Sequence, residues 1–120
     1  MRFLTFLFLL IFSFITSSLR AEDFLAGTSD IPLMNGLKIN TSEQMDFDTP
    51  TGQLLIIEGR SIKRTGDEIL KFYQTTLPQM GWEEKTTGVF VRQNDSLTLL
   101  ILKNKNPAKI RFDISLTSDK

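Results

Sequence analysis

Only one stretch of this chain has helical periodicity, and that limits the fold more than any other feature. Between Thr65 and Met80 the apolar residues Ile69, Phe72, Tyr73, Leu77 and Met80 recur at helical spacing, while Lys71, Gln74 and Thr75 fall on the opposite side. Thr65-Gly66-Asp67-Glu68 fits a capping box: the Thr65 hydroxyl accepts from the Glu68 amide, and the Glu68 carboxylate accepts from the Thr65 amide. Asp67 adds negative charge at the positive end of the helix dipole. Pro78 disfavours helical backbone at Leu77 and has no amide to donate, so the helix is expected to end or tighten there, with Gly81 available for a left-handed exit.

The segments around this helix alternate with the period of strands. Met45 and Phe47 fall on one side of a strand over Glu43 to Asp48, and Gln44, Asp46 and Asp48 on the other. Thr49-Pro50-Thr51-Gly52 reads as a turn in which Pro presets its own backbone and Gly accepts the closing conformation. Gln53 to Glu58 is the returning strand, apolar on both faces at its centre, as expected of an internal strand with a layer on each side. After the helix, short strands over Trp82 to Lys85 and Val89 to Gln93 flank Thr86-Thr87-Gly88, with a two-residue turn expected at Asn94-Asp95. Ser96 to Lys103 and Lys109 to Leu116 complete the set, the latter alternating Ile110, Phe112, Ile114 and Leu116 with Arg111, Asp113 and Ser115. Short connections make neighbours antiparallel. The expected fold is α+β in the order β-β-α-β-β-β-β: a curved antiparallel sheet of about six strands with one helix across a face, in the manner of a helix grip.

Ahead of this domain, residues 22–42 mix single apolar residues with Gly27, Pro32 and Gly36 and follow neither period, which reads as an irregular arm whose Ile31-Pro32-Leu33-Met34 packs on the domain edge. Residues 1–21 have a different character. Arg2 precedes a run from Phe3 to Ile15 broken only by Thr5 and Ser13, followed by a small and polar stretch ending at Ala21. These are the three zones of a secretory signal peptide, with cleavage expected after Ala21 or after Ser18, and the run falls short of the roughly 20 apolar residues of a membrane span. Retention of the leader as an anchor is the alternative, since Arg20 follows the apolar run. Periplasmic or secreted location follows, with membrane contact only through the leader.

Composition then narrows the chemistry. The chain has no His and no Cys, which excludes a Ser-His-Asp triad, a Cys nucleophile, a Cys/His zinc centre, a lipidated N-terminal Cys and any disulfide. Its 14 basic residues balance its 14 acidic ones, and removing Arg2 and Arg20 with the leader leaves a slightly acidic remainder, so no general attraction to nucleic acid is expected.

The segment F-Y-Q-T-T-L-P-Q-M-G-W from Phe72 to Trp82, the arm I-P-L-M-N-G-L from Ile31 to Leu37 and the turn D-T-P-T-G from Asp48 to Gly52 are similar to those of a group of small exported proteins of Gram-negative bacteria. Members share I-P-x-x-x-G-L, D-x-P-x-G and F-Y-x-x-x-L-P-x-x-G-W. The resemblance spans about Asp30 to Leu116 and implies an exported α+β domain; the group has no established activity, so it brings no catalytic residue. The helix ending in L-x-x-x-G-W also resembles, more weakly, BamC-like helix-grip domains of outer-membrane assembly lipoproteins, whose lipidated Cys this chain lacks.

Several residues invite a functional reading, each with an ordinary structural role beside it. Tyr73 and Trp82, the single Tyr and Trp, could with Ile31 and Leu33 of the arm form an interaction surface, since aromatic side chains dominate interface hot spots. Their structural role is a wedge between helix end and sheet, with the Tyr73 hydroxyl in water. Arg60, Lys63 and Arg64 precede the helix N-terminus, where amides and the dipole favour an anion; a solvated basic loop is the plainer reading, because Asp67 and Glu68 already occupy that end. Asp46 and Asp48 share one strand face but are too few for calcium. Glu58 with Glu68 could in principle form a glycosidase pair, but nothing in the sequence positions them together and a domain this small rarely offers a sugar cleft; Ser61 with Lys63 lacks the S-x-x-K spacing of a Ser/Lys dyad. Lys103, Lys105, Lys109 and Arg111 make a basic tip without interleaved aromatics.

No catalytic residue, metal or cofactor is expected. The sequence points to a non-enzymatic accessory or interaction module of the bacterial envelope, binding a protein partner. The alternative is a small-molecule or lipid carrier with its ligand held between Phe72 and the strand over Leu97 to Ile101.

Overall fold

The computed structural model describes residues 24, 25, 27, 28 and 30–118; the leader expected over residues 1–21 lies outside them. Among the described residues seven strands and one α-helix follow in order: β1 (Lys38–Ile39), β2 (Met45–Thr49), β3 (Gly52–Ser61), α1 (Gly66–Thr76), β4 (Glu83–Thr86), β5 (Val89–Arg92), β6 (Asp95–Lys103) and β7 (Ala108–Thr117). The sheet is antiparallel throughout, in the order β1-β3-β7-β6-β5-β4. β3 pairs with β7 along its whole length, so β1 and β2, both paired to β3, lie end to end on its other side. This is the expected α+β architecture. α1 carries the chain across one sheet face from β3 to the far edge, and the meander β4-β5-β6-β7 returns it to β3.

The helix begins as its sequence dictates. The Glu68 amide donates to Thr65 Oγ1 at 3.1 Å and the Thr65 amide to Glu68 Oε1 at 3.4 Å, closing the capping box. Two further amides of the first turn go to a residue that no local pattern selects: Gly66 donates to the Asn104 carbonyl at 2.7 Å and Asp67 to Asn104 Oδ1 at 2.9 Å. After Thr76 the chain tightens into a 3-10 turn over Leu77–Met80, and Gly81 leaves it with φ of 89°.

The core lies between α1 and one sheet face. Ile69, Tyr73 and Leu77 of the helix meet Leu55 and Ile57 of β3, Phe90 of β5, Leu97 and Leu99 of β6, and Ile110, Phe112 and Ile114 of β7, all buried. Each such side chain contributes roughly 1.5–3 kcal/mol by leaving water. The arm differs from its expected place on the domain edge. Leu25, Ile31 and Leu37 are buried in the same core, and Lys38–Ile39 adds a strand that its sequence does not announce.

Two local readings are corrected. The turn between β5 and β6 sits one residue earlier than expected, at Gln93-Asn94, with Gln93 left-handed at φ of 54°. Asp95 is held in the strand because it pairs with Arg92 and its carboxylate accepts the Thr117 amide at 2.8 Å. In addition, β3 is an internal strand, but no second layer covers its outer face among the described residues: Leu54 and Ile56 remain partly exposed there.

Candidate interaction edge

The outer face of the sheet carries apolar side chains at two places: Leu100 and Leu102 on β6, and a group on β2 and β3 that lies beside a free strand edge. In β3 the odd-numbered Leu55 and Ile57 turn inward, so Leu54, Ile56, Glu58 and Arg60 face outward. Register places Met45 opposite Ile56 and Phe47 opposite Leu54, on that same outer face. Met45 and Phe47 are 48% and 47% exposed. The polar row of β7 bounds the patch on the other side of β3, where Arg111 pairs with Asp113 at 3.0 Å. At the end of the 3-10 turn Thr41–Glu43, which separates β1 from β2, the neighbouring Glu43 carboxyl and, next, partial desolvation raise the carboxyl of Glu58 above its usual range.

The backbone of β2 completes the site. Asn40 donates to the Glu58 carbonyl at 2.9 Å, and Ser118 to the Thr51 carbonyl at 2.8 Å. Even-numbered residues of β3 therefore turn their backbone groups toward β1 and β2, and odd-numbered ones toward β7. Their partners Met45, Phe47 and Thr49 bond within the hairpin, and the amides and carbonyls of Asp46 and Asp48 point away from the sheet. The Asp46 and Asp48 side chains lie on the helix-side face; Asp46 accepts from Gln53 Nε2 at 2.8 and 2.9 Å. Among the described residues the result is an open strand edge with an apolar side and an acidic side.

The residues singled out by sequence go elsewhere. The interaction surface expected over Ile31, Leu33, Tyr73 and Trp82 is corrected: Ile31, Tyr73 and Trp82 are buried and only Leu33 is partly exposed. The physical reason is the arm. Tyr73 does not keep its hydroxyl in water; it donates to the Pro32 carbonyl at 2.7 Å and accepts from the Met34 amide at 3.3 Å, clamping arm to helix. Its ring stands edge-on to Phe72 at 4.9 Å and to Phe112 at 5.1 Å. Trp82 lies beneath Arg92, whose guanidinium carbon is 4.4 Å from the ring centroid, and Arg92 Nη1 reaches Asp30 of the arm at 2.6 Å.

Burial pushes the Tyr73 phenol well above its usual range. Because the folded state holds this proton more tightly, the contribution is fully present below about pH 10 and is lost as pH rises beyond it. Tyr73 is the only Tyr, so tyrosinate absorbance should appear only together with unfolding. A separate ionisation near pH 10 in folded protein would refute the clamp.

The anion site expected at Arg60, Lys63 and Arg64 does not form around the helix end. The Gly66, Asp67 and Glu68 amides are already taken by Asn104 and Thr65, and Arg64 Nη1 pairs with Glu68 Oε2 at 3.3 Å. The Thr65 amide and, next, Arg64 hold the Glu68 carboxyl below its usual range. Arg60 and Lys63 instead line an open groove of about 670 Å³ beside Lys38 and Ile62. Ser61 Oγ accepts the Lys63 and Arg64 amides at 3.1 and 2.9 Å, so it shapes the loop and forms no dyad. Among the described residues no three acidic side chains gather as metal ligands, and no helix is long and apolar enough to cross a membrane.

Sequence reasoning named the alternation of Met45 and Phe47 but treated their strand as an ordinary half-buried one. Alternation identifies two faces without saying which is covered. Fold and edge together define a one-helix α+β domain with an open β2 edge. No known family model, curated protein or solved structure matches the chain.

Proposed function

We propose that this chain is an exported, non-enzymatic interaction module of the bacterial envelope that docks a protein partner along β2. The observation that carries the reading is the combination on one strand of two half-exposed large apolar side chains, Met45 and Phe47, with backbone groups that have no partner among the described residues. The N-terminal apolar run and the resemblance to small exported proteins of Gram-negative bacteria support the envelope setting. A carrier would need room between Phe72 and residues 97–101. The tight ring contacts of Tyr73 with Phe72 and Phe112 favour the surface reading over it.

A photo-crosslinking residue placed at Phe47 should capture one defined envelope protein, whereas the same residue at the exposed helix position Lys71 should not. Phe47→Glu, read with the crosslinking residue moved to Met45 on the same row, should abolish that capture with little change in stability, within about 0.5 kcal/mol for a surface substitution. Equal capture from positions 47 and 71, or capture indifferent to Phe47→Glu, would sink the reading.

A further inference from the structure

We infer that the segment bound at this edge is an extended peptide alternating apolar and basic side chains, added to the sheet as a strand beside β2. The inference rests on the docking reading and adds the chemistry of the partner. A strand laid against β2 meets two rows. On the outer face its side chains neighbour Met45 and Phe47, and on the helix side they neighbour Asp46 and Asp48. Successive side chains of a strand point to opposite faces, so the complementary sequence places an apolar residue and then a cation in strict alternation. The outward amides and carbonyls of Asp46 and Asp48 supply its main-chain bonds, as in strand addition to an open sheet edge.

Charge also argues against a second copy of this chain as the occupant. Two β2 strands pairing antiparallel would set Asp46 and Asp48 of one against those of the other, and like charges directly opposite destabilise a ladder. The remaining edges are poorer hosts. β4 is four residues long with Glu83 and Lys85 paired on it at 3.2 Å, and β1 has only two residues. Acidic residues alone would read as protection of an edge from aggregation, but Met45 and Phe47 work against protection.

The test titrates protein produced from its full-length coding sequence with a seven-residue peptide alternating Lys and Val, following backbone amide resonances. The peptide should shift the Asp46 and Asp48 amides most. Affinity should fall at least about tenfold for a Glu/Val peptide, for the Asp46→Asn/Asp48→Asn double variant, and for a Lys/Val peptide N-methylated at alternate residues. Asp48→Pro, which removes an outward amide while leaving the hairpin bonds, should do the same. Equal binding of the Lys and Glu peptides, indifference to N-methylation or to the double Asn variant, or a β2-mediated dimer in sedimentation would overturn the inference. Phe47-dependent capture alongside such a result leaves the docking reading standing and removes only the peptide chemistry; loss of Phe47 dependence removes the docking reading itself.

Discussion

Tyr73→Ala is expected to cost about 3–5 kcal/mol, the range for removing a fully buried aromatic side chain. For a domain whose total stability lies within roughly 5–15 kcal/mol, that leaves little or nothing. The ring fills the space between α1 and β7 against Phe72 and Phe112, so truncation opens a cavity at the centre of the core. Tyr73→Phe separates the ring from the hydroxyl. It keeps the packing but leaves the Pro32 carbonyl and the Met34 amide without their partner, at about 1–3 kcal/mol for an unsatisfied buried group. A loss of that size lowers Tm by several degrees, at roughly 4–8 °C per kcal/mol in a domain of this length. The two variants should also differ in kind. In Tyr73→Phe the Met34 amide should exchange faster while the amides of α1 keep their protection, because only the arm is released. Unchanged Met34 exchange in Tyr73→Phe would show that the hydroxyl does not hold the arm.

The same clamp shows what was legible in the sequence. The capping box at Thr65 and Glu68, the tightening at Pro78 and the left-handed Gly81 all follow from contacts within a few residues, and each is where the pattern put it. The antiparallel pairing of consecutive strands followed from short connections, but the pairing of β3 with β7, which closes the sheet, did not. What did not show is whatever joins distant residues: Tyr73 with Pro32, Asn104 with the first turn of α1, and Arg92 with Asp30 are each more than thirty positions apart. The arm looked irregular because Leu25, Ile31 and Leu37 answer to the core and not to a period of their own. The candidate edge was half legible. Alternation put Met45 and Phe47 on one face and Asp46 and Asp48 on the other, but only the inward turn of Leu55 and Ile57 shows that the Met and Phe face is the open one.

Gly52→Ala is expected to cost about 3 kcal/mol, the upper end of the usual penalty for overpacking and more than Gly81→Ala costs. The two glycines are needed for different reasons. Gly81 sits at φ of 89°, where an L residue loses roughly 1–2 kcal/mol and Asn, which tolerates this region, loses less than Ala. Gly52 does not have the left-handed backbone of a turn residue. It pairs with Thr49 across the hairpin and with Thr117 of β7, and a Cβ there would run into the Leu116 carbonyl. That obstacle is backbone in a paired strand, so relief requires the start of β3 to move away from β7, carrying β2 with it. Asn at position 52 should therefore be at least as damaging as Ala, the reverse of the order at position 81. Because Phe47 and the outward groups of Asp48 ride on this hairpin, Gly52→Ala should also weaken capture at Phe47 in protein that remains folded. Denaturant midpoints of the four variants decide the matter: Gly52→Ala within about 0.5 kcal/mol of the parent, the range of an ordinary surface change, would mean that the strands part freely and that the edge is not held by its contact with β7.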